Sequence, residues 1–239
     1  MDLKDKRALV TGGGRRIGRE ICLALARKGA RVAIHCNRSF EQARELAQEC
    51  PGSVVVDADL ADPGARGALV RIAAEALGGL DLLVNNASVY GRIPLPEIED
   101  ESLDESLEVN LKAPLLLARD AGLAMREAGS GVIVNLTDWA TRRPYPDFLP
   151  YFAAKAGLES ATAGLARALA PQVRVNAVAP GAILPPDPPD AAYEAKILDA
   201  TPLGRFGGAD AVVSTVLFLV ANDFITGQTI TVDGGRSLR

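Results

Sequence analysis

The sequence predicts an α/β protein in which one doubly wound parallel sheet carries helices on both faces. Short runs rich in β-branched and apolar residues alternate with longer amphipathic segments, and this alternation is typical of parallel βαβ units. The runs are almost continuously apolar, as in Ala8-Leu9-Val10 and Leu82-Leu83-Val84, which indicates strands buried on both sides. No repeat or low-complexity tract divides the chain, so we predict a single domain over residues 1–239.

Strands and helices follow one another in a regular order. The strands are the apolar, β-branched runs, and the helices are the amphipathic segments between them. We predict strands at residues 7–11, 31–36, 53–57, 80–85, 131–136, 173–177 and 229–232. We predict helices at residues 16–28, 40–49, 63–77, 101–128, 151–168 and 209–221.

A proline-rich segment interrupts the chain late in the sequence. Four of the five residues 185–189 are proline, which excludes a helix or a central strand because proline has no backbone donor. As a linker, the segment would leave a short remainder that ends in a strand needing the main sheet. We therefore predict a loop over the functional site, with a substrate loop near residues 182–205.

Composition excludes several classes of function. The net charge is −4 with no basic block, so a nucleic-acid partner is not expected. The N-terminus has no apolar signal core and no stretch reaches membrane-spanning length, so we expect a cytoplasmic protein with no membrane partner. One histidine and three unpatterned cysteines exclude a Ser-His-Asp triad and a multi-histidine metal site, and no metal is expected.

A glycine-rich turn joins the first strand to the first helix. It reads Thr11-Gly12-Gly13-Gly14-Arg15-Arg16-Ile17-Gly18. Glycines let the backbone approach a pyrophosphate, whose charge then meets free N–H groups and the positive end of the helix. Such a turn can also serve packing alone, but its position after the first strand favours a dinucleotide. The predicted cofactor contacts are Gly12, Arg15, Arg16, Ile17 and Gly18.

The end of the second strand predicts the choice of cofactor. It reads His35-Cys36-Asn37-Arg38-Ser39 and lacks the acid that would hold a ribose 2′-hydroxyl. Arg38 can pair with a 2′-phosphate, Ser39 can donate its hydroxyl, and Arg15 or Arg16 can close over the group. We therefore predict NADPH, with Arg38 as a solvated loop charge left as the alternative. His35 is expected to make a backbone-like contact rather than to act in catalysis.

Further motifs follow in a fixed order along the chain. They are Asp59-Leu60, Asn85-Asn86-Ala87, Asn110, Tyr151-x-x-x-Lys155 and Pro180-Gly181. Together with the glycine-rich turn they resemble the short-chain dehydrogenase/reductase family over essentially the whole chain. The resemblance implies a Rossmann-type oxidoreductase, and suggests a homotetramer formed through the helices at residues 101–128 and 151–168.

The same resemblance implies roles for individual residues. Tyr151 and Lys155 would be catalytic, and Asn110 would hold a water in the proton relay. Cofactor contacts would come from Asp59 and Leu60 beside the adenine, and from Asn86, Ala87, Lys155, Pro180 and Gly181.

The spacing of Tyr151 and Lys155 also has a physical reason. Four residues on a helix place both side chains on one face. A nearby ammonium favours the phenolate, so we expect the pKa of Tyr151 to be lowered from about 10. Tyr151 could then donate a proton while hydride arrives from the cofactor.

A departure from the family pattern lies 13 residues before Tyr151, where the family usually carries a serine. The segment Asn135-Leu136-Thr137-Asp138-Trp139 places Asp138 there. An ionised carboxylate would repel the oxyanion that develops when a ketone is reduced. It would suit a substrate that presents N–H donors or takes up a proton on nitrogen. Thr137 is a poor substitute because neighbouring strand residues point to opposite faces.

This exchange resembles the pteridine reductase branch of the family. Arg16 in place of glycine, the segment 35–39, Ser88 after Ala87 and the ending from Val232 to Leu238 resemble that branch too. The branch stacks an aromatic residue on the pterin, and the matching residue here is Tyr90, with Ser88 nearby. Arg236, where the branch often has tyrosine, and the loop 185–189 are departures.

The sequence thus predicts an NADPH-dependent reductase of a pterin or dihydrofolate-like ring. Asp138, Tyr151 and Lys155 would handle the proton, and Ser88, Tyr90, Asp138 and Tyr151 would bind the substrate. One alternative is reduction of a 3-oxoacyl thioester or another carbonyl. Another is a silent NADPH-binding regulator, against which the intact Tyr151, Lys155 and Asn110 argue.

Overall fold

The computed structural model describes residues 1–239 and contains one parallel sheet of seven strands. The strands are β1 (Arg7–Val10), β2 (Arg31–Cys36), β3 (Val54–Asp57), β4 (Leu82–Asn85), β5 (Gly131–Leu136), β6 (Val173–Pro180) and β7 (Thr229–Val232). Their order across the sheet is β3-β2-β1-β4-β5-β6-β7. The predicted doubly wound fold is confirmed.

Eight α-helices connect or follow these strands. They are α1 (Arg16–Arg27), α2 (Phe40–Glu49), α3 (Pro63–Leu77), α4 (Asp100–Leu107), α5 (Ala113–Glu127), α6 (Leu149–Leu169), α7 (Ala191–Asp199) and α8 (Ala209–Ala221). No helix combines the length and the apolar character that crossing a membrane requires.

The core consists of two apolar layers, one on each face of the sheet. Ala8 and Val10 of β1 face the layer covered by α1, α2 and α8, whereas Leu9 between them faces the layer covered by α3, α5 and α6. This alternation follows from the two-residue period of a strand. It explains why the strand sequences are apolar at every position rather than at every second one.

The sheet reverses its winding direction between β1 and β4. The chain runs outward from β1 to β3, and β4 then returns to the other side of β1. In open α/β sheets, ligands bind at such a switch point, beyond the carboxyl ends of the strands. The loops after β1, β4, β5 and β6 meet at this edge, and the candidate site is built there.

Apart from element ends that shift by up to about three residues, as in β4, β6 and α6, the structure differs from the prediction in two places. The predicted helix 101–128 contains a π turn, Glu108–Lys112, between α4 and α5. Pro114 explains it, because in an α-helical register its ring would clash with the carbonyl of Asn110 four residues earlier. The predicted loop 182–205 contains α7, whose N-cap Asp190 accepts a hydrogen bond from Tyr193 N, a pattern that the preceding prolines obscured.

Candidate active site

The glycine-rich turn is held from inside the sheet. Nδ1 of buried His35 accepts a hydrogen bond from Gly12 N at 3.1 Å, and Nε2 lies 3.0 Å from the Ala58 carbonyl. Because Gly12 N can only donate, Nδ1 is the unprotonated nitrogen and Nε2 donates to Ala58. Burial lowers the pKa of His35, which keeps the ring neutral. His35 therefore acts as a structural contact, as expected.

Asn86 fastens the turn from the other side. Its Nδ2 donates to the carbonyls of Thr11 at 2.9 Å and Gly12 at 3.1 Å. Gly18 lies against the same point, where an added Cβ would come 2.1 Å from the Gly12 oxygen. The predicted contacts Gly12, Gly18 and Asn86 thus pack together, but the N–H of Gly12 and the amide of Asn86 are engaged within the chain.

The N-terminus of α1 presents backbone N–H groups to which an anion can bind. Its N-cap, Arg15, makes no side-chain cap, so the first N–H groups of the helix have no partner from that side chain. Arg16 adopts a left-handed φ of 51°. Its guanidinium contacts the proline-rich loop, with Nη2 3.4 Å from the Pro185 carbonyl and Nη1 3.8 Å from the Asp187 carboxylate.

Arg38 and Ser39 lie beside the same turn. Arg38 is exposed. Ser39 is the N-cap of α2 but makes no cap hydrogen bond, and its Oγ would lie 2.7 Å from a Cβ placed on Gly14. A free hydroxyl and an exposed guanidinium therefore border the glycine-rich turn at the carboxyl end of β2.

The other residues predicted to bind the cofactor lie at the carboxyl ends of β3, β4 and β6. Asp59 is exposed after β3, where its Oδ1 accepts from Ala61 N at 2.9 Å. Leu60 is only 4% exposed and belongs to the core, so only its backbone could border an adenine. Ala87 N donates to Thr11 Oγ1 at 3.0 Å. Pro180 ends β6, and Gly181 follows it beside Asp233, whose Cβ is 2.5 Å from a Cβ built on Gly181.

Asp138 and Tyr151 form a direct pair. Tyr151 Oη donates to Asp138 Oδ2 at 3.0 Å, and Asp138 Oδ1 accepts from Ala140 N at 2.8 Å. The second bond makes Asp138 the N-cap of the 3₁₀ turn Trp139–Arg142. The cap fixes one carboxylate oxygen while the other meets the phenol, so the loop after β5 sets the geometry of the pair.

The expectation that the pKa of Tyr151 is lowered is wrong in this structure. Burial raises the pKa of Tyr151 well above its usual value, and the negative charge of Asp138 raises it further. Lys155 Nζ lies 5.8 Å from the centre of the Tyr151 ring and donates to the Leu136 carbonyl at 2.8 Å. The four-residue spacing places Lys155 on the same face of α6 as Tyr151. Its ammonium, however, is directed toward the end of β5 rather than toward the phenol.

A high tyrosine pKa has a chemical consequence. Tyr151 stays protonated at neutral pH and can act as a proton donor. Burial also raises the pKa of Asp138, against the opposing effects of Ala140 N–H, Tyr151, Lys155 and Arg236. Burial lowers the pKa of Lys155 to about 8, while Asp138 acts to raise it. The three groups are thus electrostatically coupled in one buried cluster.

Asn110 lies at the centre of the π turn and is fully buried. Its Oδ1 accepts from Ser88 Oγ at 2.7 Å and from Val89 N at 3.1 Å, and its Nδ2 donates to the Val89 carbonyl at 2.9 Å. The side chain therefore holds the segment after β4 in place. A water in a proton relay would have to use the backbone of Asn110 rather than its amide.

Tyr90 lies in a wall of aromatic rings. Its ring stacks on Phe148 with centroids 4.5 Å apart, and meets Tyr151 edge-on at 4.7 Å. Trp139 and Tyr145 continue the wall, 6.2 Å apart. Tyr90 remains 54% exposed, so part of its surface is open to a ligand.

The sequence prediction missed Trp139, Tyr145, Phe148 and Tyr193. Tyr193 on α7 contributes to raising the pKa of Tyr90 and Tyr145, which burial chiefly raises. The amino-acid composition could have indicated this cluster of aromatic residues. The chain has only four tyrosines and one tryptophan, and the tryptophan and three of the tyrosines, Tyr90, Tyr145 and Tyr151, lie in the candidate site.

Known proteins are similar to this chain over almost its whole length. A family model described as enoyl-(acyl carrier protein) reductase matches residues 13–237. L-xylulose reductase of Mus musculus is 38% identical, covering 98% of each chain. The 3-oxoacyl-[acyl-carrier-protein] reductase FabG of Staphylococcus aureus is 36% identical, covering 96% of this chain and 97% of its own.

A solved structure is similar as well. FolM alternative dihydrofolate reductase 1 of Brucella canis, complexed with NADP, superposes with a TM-score of 0.93 at 37% identity. The match covers 100% of this chain and 96% of that one. The chain belongs to the short-chain dehydrogenase/reductase family. It is an NAD(P)-dependent oxidoreductase of that family.

Proposed function

We propose that this enzyme uses NADPH to reduce a pterin or dihydrofolate-like ring. The observation that carries the proposal is the 3.0 Å hydrogen bond between Tyr151 Oη and Asp138 Oδ2. A carboxylate at this point disfavours an oxyanion but favours a ring that presents N–H donors. The structural similarity to a FolM dihydrofolate reductase supports the same substrate class.

The residues around the glycine-rich turn fit a dinucleotide with a 2′-phosphate. The uncapped start of α1 can meet the pyrophosphate, and Arg15, Arg38 and Ser39 can meet the 2′-phosphate. Lys155 would bind the nicotinamide ribose. Bound in this way, the cofactor supplies the hydride.

The side chains of the enzyme then handle the proton. When the carbon of a ring C=N bond receives hydride, the nitrogen must take up one proton, and protonated Tyr151 can donate it. Asp138 accepts N–H groups of the ring and holds the phenol in position. The aromatic wall of Tyr90, Trp139, Tyr145 and Phe148 offers faces on which a flat ring can stack.

Reduction of a carbonyl is the second candidate function, because two relatives are reductases of L-xylulose and of a 3-oxoacyl thioester. A spectrophotometric assay of NADPH oxidation separates the candidates. The substrates are dihydrobiopterin, dihydrofolate, L-xylulose and an acetoacetyl thioester. The proposal expects the largest kcat/KM for a dihydropterin or dihydrofolate, and brisk reduction of the carbonyl compounds alone would overturn it.

Substitution of Arg38 tests the preference for NADPH over NADH. Because the exposed guanidinium borders the turn next to a free Ser39 hydroxyl, Arg38→Ala should weaken NADPH binding roughly ten- to a hundredfold. NADH binding should be almost unchanged, since it has no 2′-phosphate. Calorimetric titration of both cofactors measures this. Equal affinity of the unmodified enzyme for NADH and NADPH would rule the assignment out.

Lys155 predicts a pH dependence of cofactor binding. Its pKa lies at about 8, so the ammonium is charged below that pH and neutral above it. We expect affinity for NADPH to fall as the pH rises through about 8, as measured by fluorescence titration. Lys155→Met should remove this step. Asp138→Asn should move it to lower pH, because Asp138 raises the pKa of Lys155, and an unshifted step would contradict the coupling.

Three further assignments remain part of the proposal. We place the enzyme in the cytoplasm, where its three buried free cysteines suit a reducing compartment. The outward face of α6, with exposed Ala153, Ala156, Ser160, Ala163 and Gly164, supports a homotetramer because small residues let helices of two copies pack closely. The contacts of Arg16 with the proline-rich loop support a substrate loop at residues 182–205 that borders the cofactor.

A further inference from the structure

Arg236 brings a positive charge to the aromatic wall from the C-terminal segment. Its guanidinium carbon lies 5.0 Å from the centre of the Trp139 ring and 6.0 Å from that of Tyr145. The side chain is half-buried. Such cation–π contacts hold the plane of the guanidinium without using its N–H donors.

The backbone is shaped to keep Arg236 in this position. The buried carboxylate of Asp233 accepts from Gly235 N at 2.9 Å and from Ser237 N at 2.7 Å. Gly234 and Gly235 adopt left-handed φ values of 65° and 85°, which turn the chain back toward the site. The position of Arg236 is thus set by a turn and by two rings rather than by an acidic partner.

The guanidinium donors of Arg236 are unused within the chain. The guanidinium makes its cation–π contacts but no hydrogen bond and no ion pair. Its charge does reach the site, since Arg236 opposes the effect of burial on the pKa of Asp138. A half-buried guanidinium with free donors, beside aromatic rings and the candidate substrate pair, is suited to receive an anionic group in a bidentate contact.

We propose that Arg236 binds a carboxylate that the substrate carries beyond its reducible ring, so that the enzyme prefers folate-type substrates to neutral pterins. This inference rests on the proposed function. Trp139 and Tyr145 would flank an aryl group that links the ring to the carboxylate. Arg236 is therefore a specificity-determining residue, distinct from the groups that transfer the proton.

Binding of three ligands tests this inference. Folate and pteroate carry a carboxylate on or beyond an aryl group, whereas biopterin carries none. Each is titrated by calorimetry into the enzyme with NADP⁺ present. Arg236→Gln is compared with Arg126→Gln, which removes the same charge from an exposed position on α5. The fluorescence of Trp139, the only tryptophan, reports binding beside Arg236 independently of turnover.

We expect Arg236→Gln to weaken folate and pteroate roughly ten- to a hundredfold and to leave biopterin within about threefold. Arg126→Gln should change none of the three affinities. Equal weakening of all three ligands, or unchanged folate binding, would overturn the inference. If the unmodified enzyme binds biopterin as tightly as folate, the inference fails while the proposed function stands. If it binds none of the three, both fail.

Discussion

Replacing Tyr151 by phenylalanine should lower the turnover number by two to four orders of magnitude, the usual contribution of a positioned general acid. The change removes only the hydroxyl that lies 3.0 Å from Asp138 and keeps the ring that packs against Tyr90 and Phe152. Two neighbouring donors already have acceptors within the chain, since Lys155 donates to the Leu136 carbonyl and Ser88 to Asn110. Steady-state NADPH oxidation measures the loss.

The fold and the cofactor site should survive Tyr151→Phe. Affinity for NADPH and the thermal midpoint should stay close to those of the unmodified enzyme, since the packed ring is retained. Phe152→Leu on the same helix is a matched control, because it alters the aromatic cluster but removes no donor. Substantial retained turnover in Tyr151→Phe would show that another group supplies the proton.

Replacing Asp138 by serine should have opposite effects on the two substrate classes. Reduction of dihydropterins or dihydrofolate should fall by at least tenfold, because the acceptor for ring N–H groups is lost in the transition state as well as in the ground state. Carbonyl reduction should hold or rise, since a repulsive charge is replaced by a hydroxyl donor. Values of kcat/KM for both classes give the sign of each effect.

Serine is a suitable replacement because the local fold can tolerate it. Asp138 caps the following 3₁₀ turn through Ala140 N, and serine is also a preferred N-cap residue. Asp138→Asn is the control that keeps the shape and removes the charge. If the unmodified enzyme ignores dihydropterins and Asp138→Ser improves carbonyl reduction, the substrate assignment is wrong while the fold and family stand.

The fold could be predicted from sequence because its signals are local. Apolar runs of strand length, amphipathic helices and a glycine-rich turn each act over a few residues. Their alternation defines a parallel sheet, and Pro114 even explains the π turn once the helix is seen. The helix α7 was missed because the prolines at 185–189 dominate its neighbourhood.

The candidate site was predictable only in part. The sequence gives the spacing of Tyr151 and Lys155 but not the burial of Tyr151 or the approach of Asp138, and these two effects reverse the expected direction of its pKa. The aromatic wall is assembled from side chains after β4 and after β5. Only the folded chain brings such distant positions together.

The internal fastening of the glycine-rich turn has a consequence for how such an enzyme diversifies. His35 from β2 and Asn86 from β4 hold this turn before any ligand arrives, so little ordering entropy is lost when the cofactor binds. The opposite half of the site rests on short 3₁₀ turns, a proline-rich loop and a C-terminal turn. Changes there leave the first half undisturbed. The same fold can thus keep its cofactor site while its substrate specificity changes. This agrees with relatives whose substrates range from a sugar to an acyl thioester.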